Sequence, residues 1–66
     1  MQFFVNDQPL SSEIPLTLTQ MLEQINQAEK GVALAVNKQI VSRSQWPQKK
    51  VEEGDRITLI KATAGG

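Results

Sequence analysis

The 66 residues contain no cysteine and no histidine. Without cysteine there is no disulfide, no thiol nucleophile and no thiolate metal ligand. Without histidine the commonest general base and the commonest transition-metal ligand are missing. Both absences argue against a self-contained hydrolase and against a zinc protein, and no residue stands out as catalytic or as a metal ligand. No apolar run approaches the roughly 20 residues that span a bilayer. The N-terminus lacks the basic-then-apolar plan of a signal peptide. Neither sign of charge is in excess: seven basic and seven acidic residues give a formal net charge of zero, which argues against a nucleic-acid binder. At 7.3 kDa the chain allows one domain. Such a chain buries only about 60% of the surface its unfolded form exposes, so its core must be compact. The expectation is a soluble, cytoplasmic, non-enzymatic binding or carrier domain, with no membrane or nucleic-acid partner.

The charge is uneven along the chain. Residues 1–33 hold Asp7, Glu13, Glu23 and Glu29 against Lys30, and the six other basic residues lie in 34–66 against Glu52, Glu53 and Asp55. Such asymmetry can steer a partner, although an ordinary solvated surface also explains it.

Met1–Asn6 reads as a strand, with Met1, Phe3 and Val5 on one face and Gln2, Phe4 and Asn6 on the other. Asn6-Asp7-Gln8 signals a turn, because Asn and Asp tolerate left-handed geometry. A second short strand is expected over Leu10–Ile14, with Pro9 marking it as an edge. Thr17-Leu18-Thr19-Gln20 fits a capping box at the start of a helix. Leu18, Met21, Leu22 and Ile25 follow at i, i+3, i+4 and i+7 as one apolar stripe. Gly31 is the expected terminator after about three turns, with Lys30 at the negative end.

Val32–Asn37 reads as a third strand, with Val32, Leu34 and Val36 inward and Ala33 and Ala35 outward. Asn37-Lys38 is a turn and Gln39–Val41 a brief fourth strand. Residues 42–50 are polar and irregular around Trp46, which is expected to cap the core. Lys49 and Lys50 read as a solvated end. Glu53-Gly54-Asp55 is a tight turn, which accounts for its acidic residues better than a metal site does. Arg56–Ala62 is the last strand, with Ile57 and Leu59 on one face and Thr58 and Ile60 on the other.

Hairpin, helix, two short strands, crossover and final strand is the order of an α+β, β-grasp domain. A mixed sheet of four to five strands then packs on one helix, with the first and last strands parallel at its centre. Residues 1–62 would form the domain and residues 63–66 a flexible tail. Phe4, Ala33, Ala35 and Ile60 would share the outer face, a candidate partner-binding patch.

The chain ends Ala62-Thr63-Ala64-Gly65-Gly66. Without Cβ atoms a Gly-Gly end threads narrow slots. Five extended residues reach about 17 Å, enough for Thr63, Ala64, Gly65 and Gly66 to enter another protein's cleft. The reactive group would be the Gly66 α-carboxylate. With an ordinary pKa of about 3.3–3.7 it is ionised and a poor electrophile, so a partner must activate it. Adenylylation with ATP and magnesium is the simplest route. Thr63 carries a hydroxyl, but no base in the chain could activate it.

Several pieces of the sequence resemble the ThiS family of sulfur carriers in thiamine biosynthesis. They are Ala33-Leu34-Ala35-Val36-Asn37, Ile40-Val41, Arg43, Trp46, Gly54-Asp55 and Ala64-Gly65-Gly66, together with Asn6-Asp7 and Leu22-Glu23-Gln24. Ser42 departs from the proline the family often has before the arginine, and Ala62-Thr63 is less apolar than usual. The opening Met-Gln-x-Phe-Val also resembles ubiquitin, whose outward apolar face binds partners. The resemblance implies a ubiquitin-like fold, adenylylation of Gly66 by an E1-like enzyme of the ThiF type, and sulfur supplied through a cysteine desulfurase. It further implies delivery of that sulfur from a Gly66 thiocarboxylate to thiazole synthase, ThiG. No cofactor would be bound by the chain itself. Carriers for molybdopterin (the MoaD family) or for tRNA thiolation remain alternatives, as does a β-grasp interaction module without carrier chemistry.

Overall fold

The computed structural model describes residues 1–27 and 30–61. Five strands and one helix follow each other as β1 (Gln2–Val5), β2 (Gln8–Ser11), α1 (Leu18–Gln24), β3 (Val32–Val36), β4 (Gln39–Val41) and β5 (Arg56–Lys61). A 3₁₀ turn, Arg43–Gln45, interrupts the crossover between β4 and β5. The strands form one mixed sheet in the order β2-β1-β5-β3-β4. The last strand is central. It runs parallel to β1 through Val5↔Ile57 and antiparallel to β3 from Val36↔Ile57 to Val32↔Lys61. This is the expected β-grasp arrangement, with five strands.

Both hairpins close through two-residue turns. Asn6 and Asp7 have φ of 50° and 68°, and Asn37 and Lys38 have φ of 52° and 72°. Paired positive φ values match the right-handed twist of the flanking strands. The first turn closes at once, pairing Val5 with Gln8 and Phe4 with Pro9. The second strand therefore ends at Ser11, rather than running over Leu10–Ile14. Beyond it the Ser12 hydroxyl accepts from the Ile14 N–H and donates to the Ile14 carbonyl, which turns the chain away from the sheet.

The helix begins as its sequence dictates. The Gln20 N–H donates to Thr17 Oγ1 at 3.2 Å, and the Thr17 N–H donates to Gln20 Oε1 at 3.0 Å, a reciprocal capping box. It ends earlier than expected, after seven residues. Asn26 takes φ 61°. Its N–H donates to the Glu23 carbonyl and that of Gln27 to the Leu22 carbonyl, completing a Schellman closure with Asn in the left-handed position. Gly31, expected as the terminator, instead has φ 81° just before β3.

The helix lays Leu18, Met21 and Leu22 on the sheet against Phe3, Leu34 and Ile57, all fully or nearly fully buried. Ile25, fourth in the stripe, is half-buried at the margin. Trp46 closes the core with 1% exposure. Its indole Nε1–H donates to the Val41 carbonyl at 3.0 Å, so the one polar atom of this large buried side chain is satisfied. The crossover is stitched to the start of the helix and the segment before it by Val51 N–H to Leu16 carbonyl at 2.7 Å and Leu18 N–H to Lys49 carbonyl at 2.9 Å.

Candidate functional site

The side of the sheet away from the helix is built from the alternate residues of each strand. Direct pairing places Pro9, Phe4 and Arg56 in one row, Thr58, Ala35 and Ile40 in a second, and Ile60 and Ala33 in a third. The expected patch, Phe4, Ala33, Ala35 and Ile60, does share this face. Its members differ in what they present. Ile60 is 48% exposed, and Ala33 is exposed. Ala35 lies on the face but is only 6% exposed, because a short side chain between Thr58 and Ile40 sits below its neighbours. Phe4 is half-buried, and the Arg56 guanidinium stacks over its ring at 4.8 Å. The same guanidinium lies 3.8 Å from Asp7, between two well-solvated side chains, so that pair contributes little to stability.

Two features of the face were not anticipated. Ile40, 70% exposed, is its most prominent apolar side chain. The signal was present, since a two-residue turn after Val36 sets Ile40 opposite Ala35. Arg56 over Phe4 had no local signal. Those residues meet only through the parallel pairing of β1 with β5.

Side chains pin β5 from both sides. The Asn6 side chain accepts from the Leu59 N–H at 2.8 Å and donates to the Leu59 carbonyl at 3.2 Å, which continues the β1 ladder after β1 has turned away. The Asn37 side chain accepts from the Arg56 N–H at 3.0 Å and donates to Asp55 Oδ1 at 3.1 Å. Asp55 Oδ2 accepts from the Glu52 N–H at 2.8 Å. The carboxylate of Asp55 is thus engaged in the turn around Gly54, whose φ is 80°, as turn chemistry requires. Among the described residues no three carboxylates gather as a metal site would need.

Among the described residues only β3 flanks β5 past Leu59, with Ile60 paired to Ala33 and Lys61 to Val32. The described chain ends there, at the margin of the outer face. Thr63, Ala64, Gly65 and Gly66, the residues expected to carry the chemistry, lie outside the described residues, as does the boundary placed at residue 62.

A mixed sheet with a parallel central pair, one helix across it and a central last strand leading off an apolar face defines a small β-grasp protein. Comparisons with known proteins narrow that class. The ThiS family model matches residues 1–66. The sulfur carrier protein ThiS of Escherichia coli (strain K12) is 46% identical over 66 residues, covering the whole of both chains. The chain belongs to the ThiS family. Two solved structures of a thiamine biosynthesis protein from Geobacter metallireducens share the fold at 23% identity. The crystal structure of that ThiS superposes with a TM-score of 0.84 over the whole of both chains. The solution structure does so with 0.79 over the whole of this chain and 88% of the other.

Proposed function

We propose that the protein is a sulfur carrier in thiamine biosynthesis and that Gly66 is the residue modified. The observation that carries this reading is the full-length, 46% match to the E. coli sulfur carrier protein ThiS. The Gly66 carboxylate attacks the α-phosphorus of ATP held with magnesium by an E1-like enzyme of the ThiF type, forming an acyl adenylate and releasing pyrophosphate. The outer sulfur of a persulfide, supplied by a donor enzyme such as a cysteine desulfurase, displaces AMP to form an acyl disulfide, and a second thiol then attacks the donor-side sulfur, releasing the Gly66 thiocarboxylate and leaving a disulfide between that thiol and the donor. Thiazole synthase, of the ThiG type, takes up that sulfur. The chain acts as a protein cosubstrate in the cytoplasm. It binds no cofactor and contributes no catalytic side chain. Thr63, Ala64, Gly65 and Gly66 enter the partners' active sites, and the face around Ile60, Ala33, Ala35 and Phe4 docks on the partner surface. No helix among the described residues is long and apolar enough to cross a membrane.

Intact mass of the protein isolated from thiamine-starved cells tests this. Sulfur in place of one oxygen, mapped to Gly66, is the expected result. A chain lacking Gly65 and Gly66 should fold normally yet accept no adenylate. Ile60→Glu should slow activation about tenfold, the scale of one lost apolar anchor, with no change in melting temperature. If the carboxylate stays unmodified with an active E1-like enzyme, ATP and a sulfur source, the carrier reading fails.

A further inference from the structure

The sheet has two edges, and a proline obstructs only one of them. In each hairpin the residues flanking the two-residue turn form the hydrogen-bonded pair, so the next residue along directs its N–H and C=O away from the sheet. On β2 that residue is Pro9, which has no N–H to offer. On β4 it is Ile40, with both groups available and a side chain 70% exposed. A groove of about 450 Å³ runs beside this edge, lined by Val36, Asn37, Gln39, Ile40, Val41, Gln45 and Lys49. The segment that forms it is rich in positive charge. Residues 37–51 contain Lys38, Arg43, Lys49 and Lys50 and no Asp or Glu. Lys38 stands just before β4 and Arg43 just after it. Among the described residues none of these four cations pairs with a carboxylate.

We propose that the β4 edge is a second docking site, which accepts an extended acidic segment of a partner protein by strand addition. The segment's backbone pairs with the Ile40 N–H and C=O, the residue opposite Ile40 lays an apolar side chain against it on the outer face, the residues on either side reach into the groove, and carboxylates meet Lys38, Lys49 and Arg43. An unpaired edge gives backbone affinity, and the cations give the sign of the partner. A second copy of this chain is the poorer occupant. Antiparallel pairing about Ile40 would crowd the Lys38, Arg43 and Lys49 of both copies along one seam. The site adjoins the outer face, with which it shares the Ile40 side chain, and it does not rest on the sulfur-carrier reading.

The probe is an eight-residue peptide alternating glutamate and valine, titrated into the ¹⁵N-labelled protein. The expected result is saturable shifts of the amides of Gln39, Ile40, Val41 and Lys49, slowed amide exchange at Ile40, and binding that weakens with salt. Ile40→Pro removes the outward N–H and should weaken binding about tenfold, the scale of one lost interfacial hydrogen bond. Should that variant unfold, Lys49→Glu offers an independent route to a similar loss. Several results would overturn the proposal: no shifts at 1 mM peptide (a Kd there corresponds to about −4 kcal/mol), shifts confined to Phe4, Ala33 and Ile60, equal binding of a lysine–valine peptide, equal shifts with a short single-stranded DNA, or β4 shifts that depend on protein concentration without peptide.

Discussion

The two hairpins begin alike and diverge at one residue. Asn6-Asp7-Gln8 is followed by Pro9, and Asn37-Lys38-Gln39 by Ile40. Each turn sets an asparagine at φ near 50°, and each asparagine fastens β5 with its side chain. The inner sides of the hairpins therefore do the same job: they hold the strand that leads toward Gly66. The outer sides differ. Proline closes one edge of the sheet, and isoleucine leaves the other open. A short sheet can thus be symmetrical where it supports the central strand and asymmetrical where it meets other chains.

The strongest way to break this comparison is to remove the support beneath the open hairpin. Trp46→Ala deletes a buried indole and its bond to the Val41 carbonyl. It should destabilise the protein by roughly 3–5 kcal/mol, a large share of the total for a domain of this size, read by urea denaturation. The two asparagines sharpen the inner half of the comparison. Asn6→Ala and Asn37→Ala should each cost about 1–2 kcal/mol, through lost hydrogen bonds and through a left-handed turn that alanine tolerates poorly. Their local signatures should separate. Amide exchange should rise at Leu59 for the first and at Arg56 and Glu52 for the second. The same exchange pattern in both variants would show that the clamps do not act independently. The outer half is tested by the smallest expected change in stability. Pro9→Ile should shift stability by no more than about 1 kcal/mol, yet it opens the second edge. Light scattering should then show more self-association than in the parent chain.

Much of this architecture was legible locally. The capping box at Thr17, the stripe through Leu18, Met21 and Leu22, both asparagine turns and the turn at Gly54 involve residues no more than a few positions apart. The helix end was misjudged because Gly31 is the more familiar terminator. Asn26, five positions earlier, already had a residue type that tolerates the required angle. The length of β2 was misjudged because proline was read as preceding the strand rather than lying in it.

The candidate site divides in the same way. Sequence pattern alone placed Phe4, Ala33, Ala35 and Ile60 on one face, since strand side chains alternate. It could not rank them. Whether Phe4 is open or covered depends on Arg56, some fifty residues away, and on the register of a parallel pair. Ala35 is recessed because Thr58 and Ile40 flank it. The tail residues ending in Gly66 were chosen on chemistry and resemblance.

The chain's own order of residues determined the turns, the helix start, the strand faces and the absence of cysteine and histidine, because each depends on local geometry or on composition. Tertiary structure decided which edge of the sheet stays open, which outward side chains are covered, and how far the central strand is held from both sides. Those properties belong to pairs of segments distant in sequence, and they exist only once β5 has joined the two hairpins into one sheet.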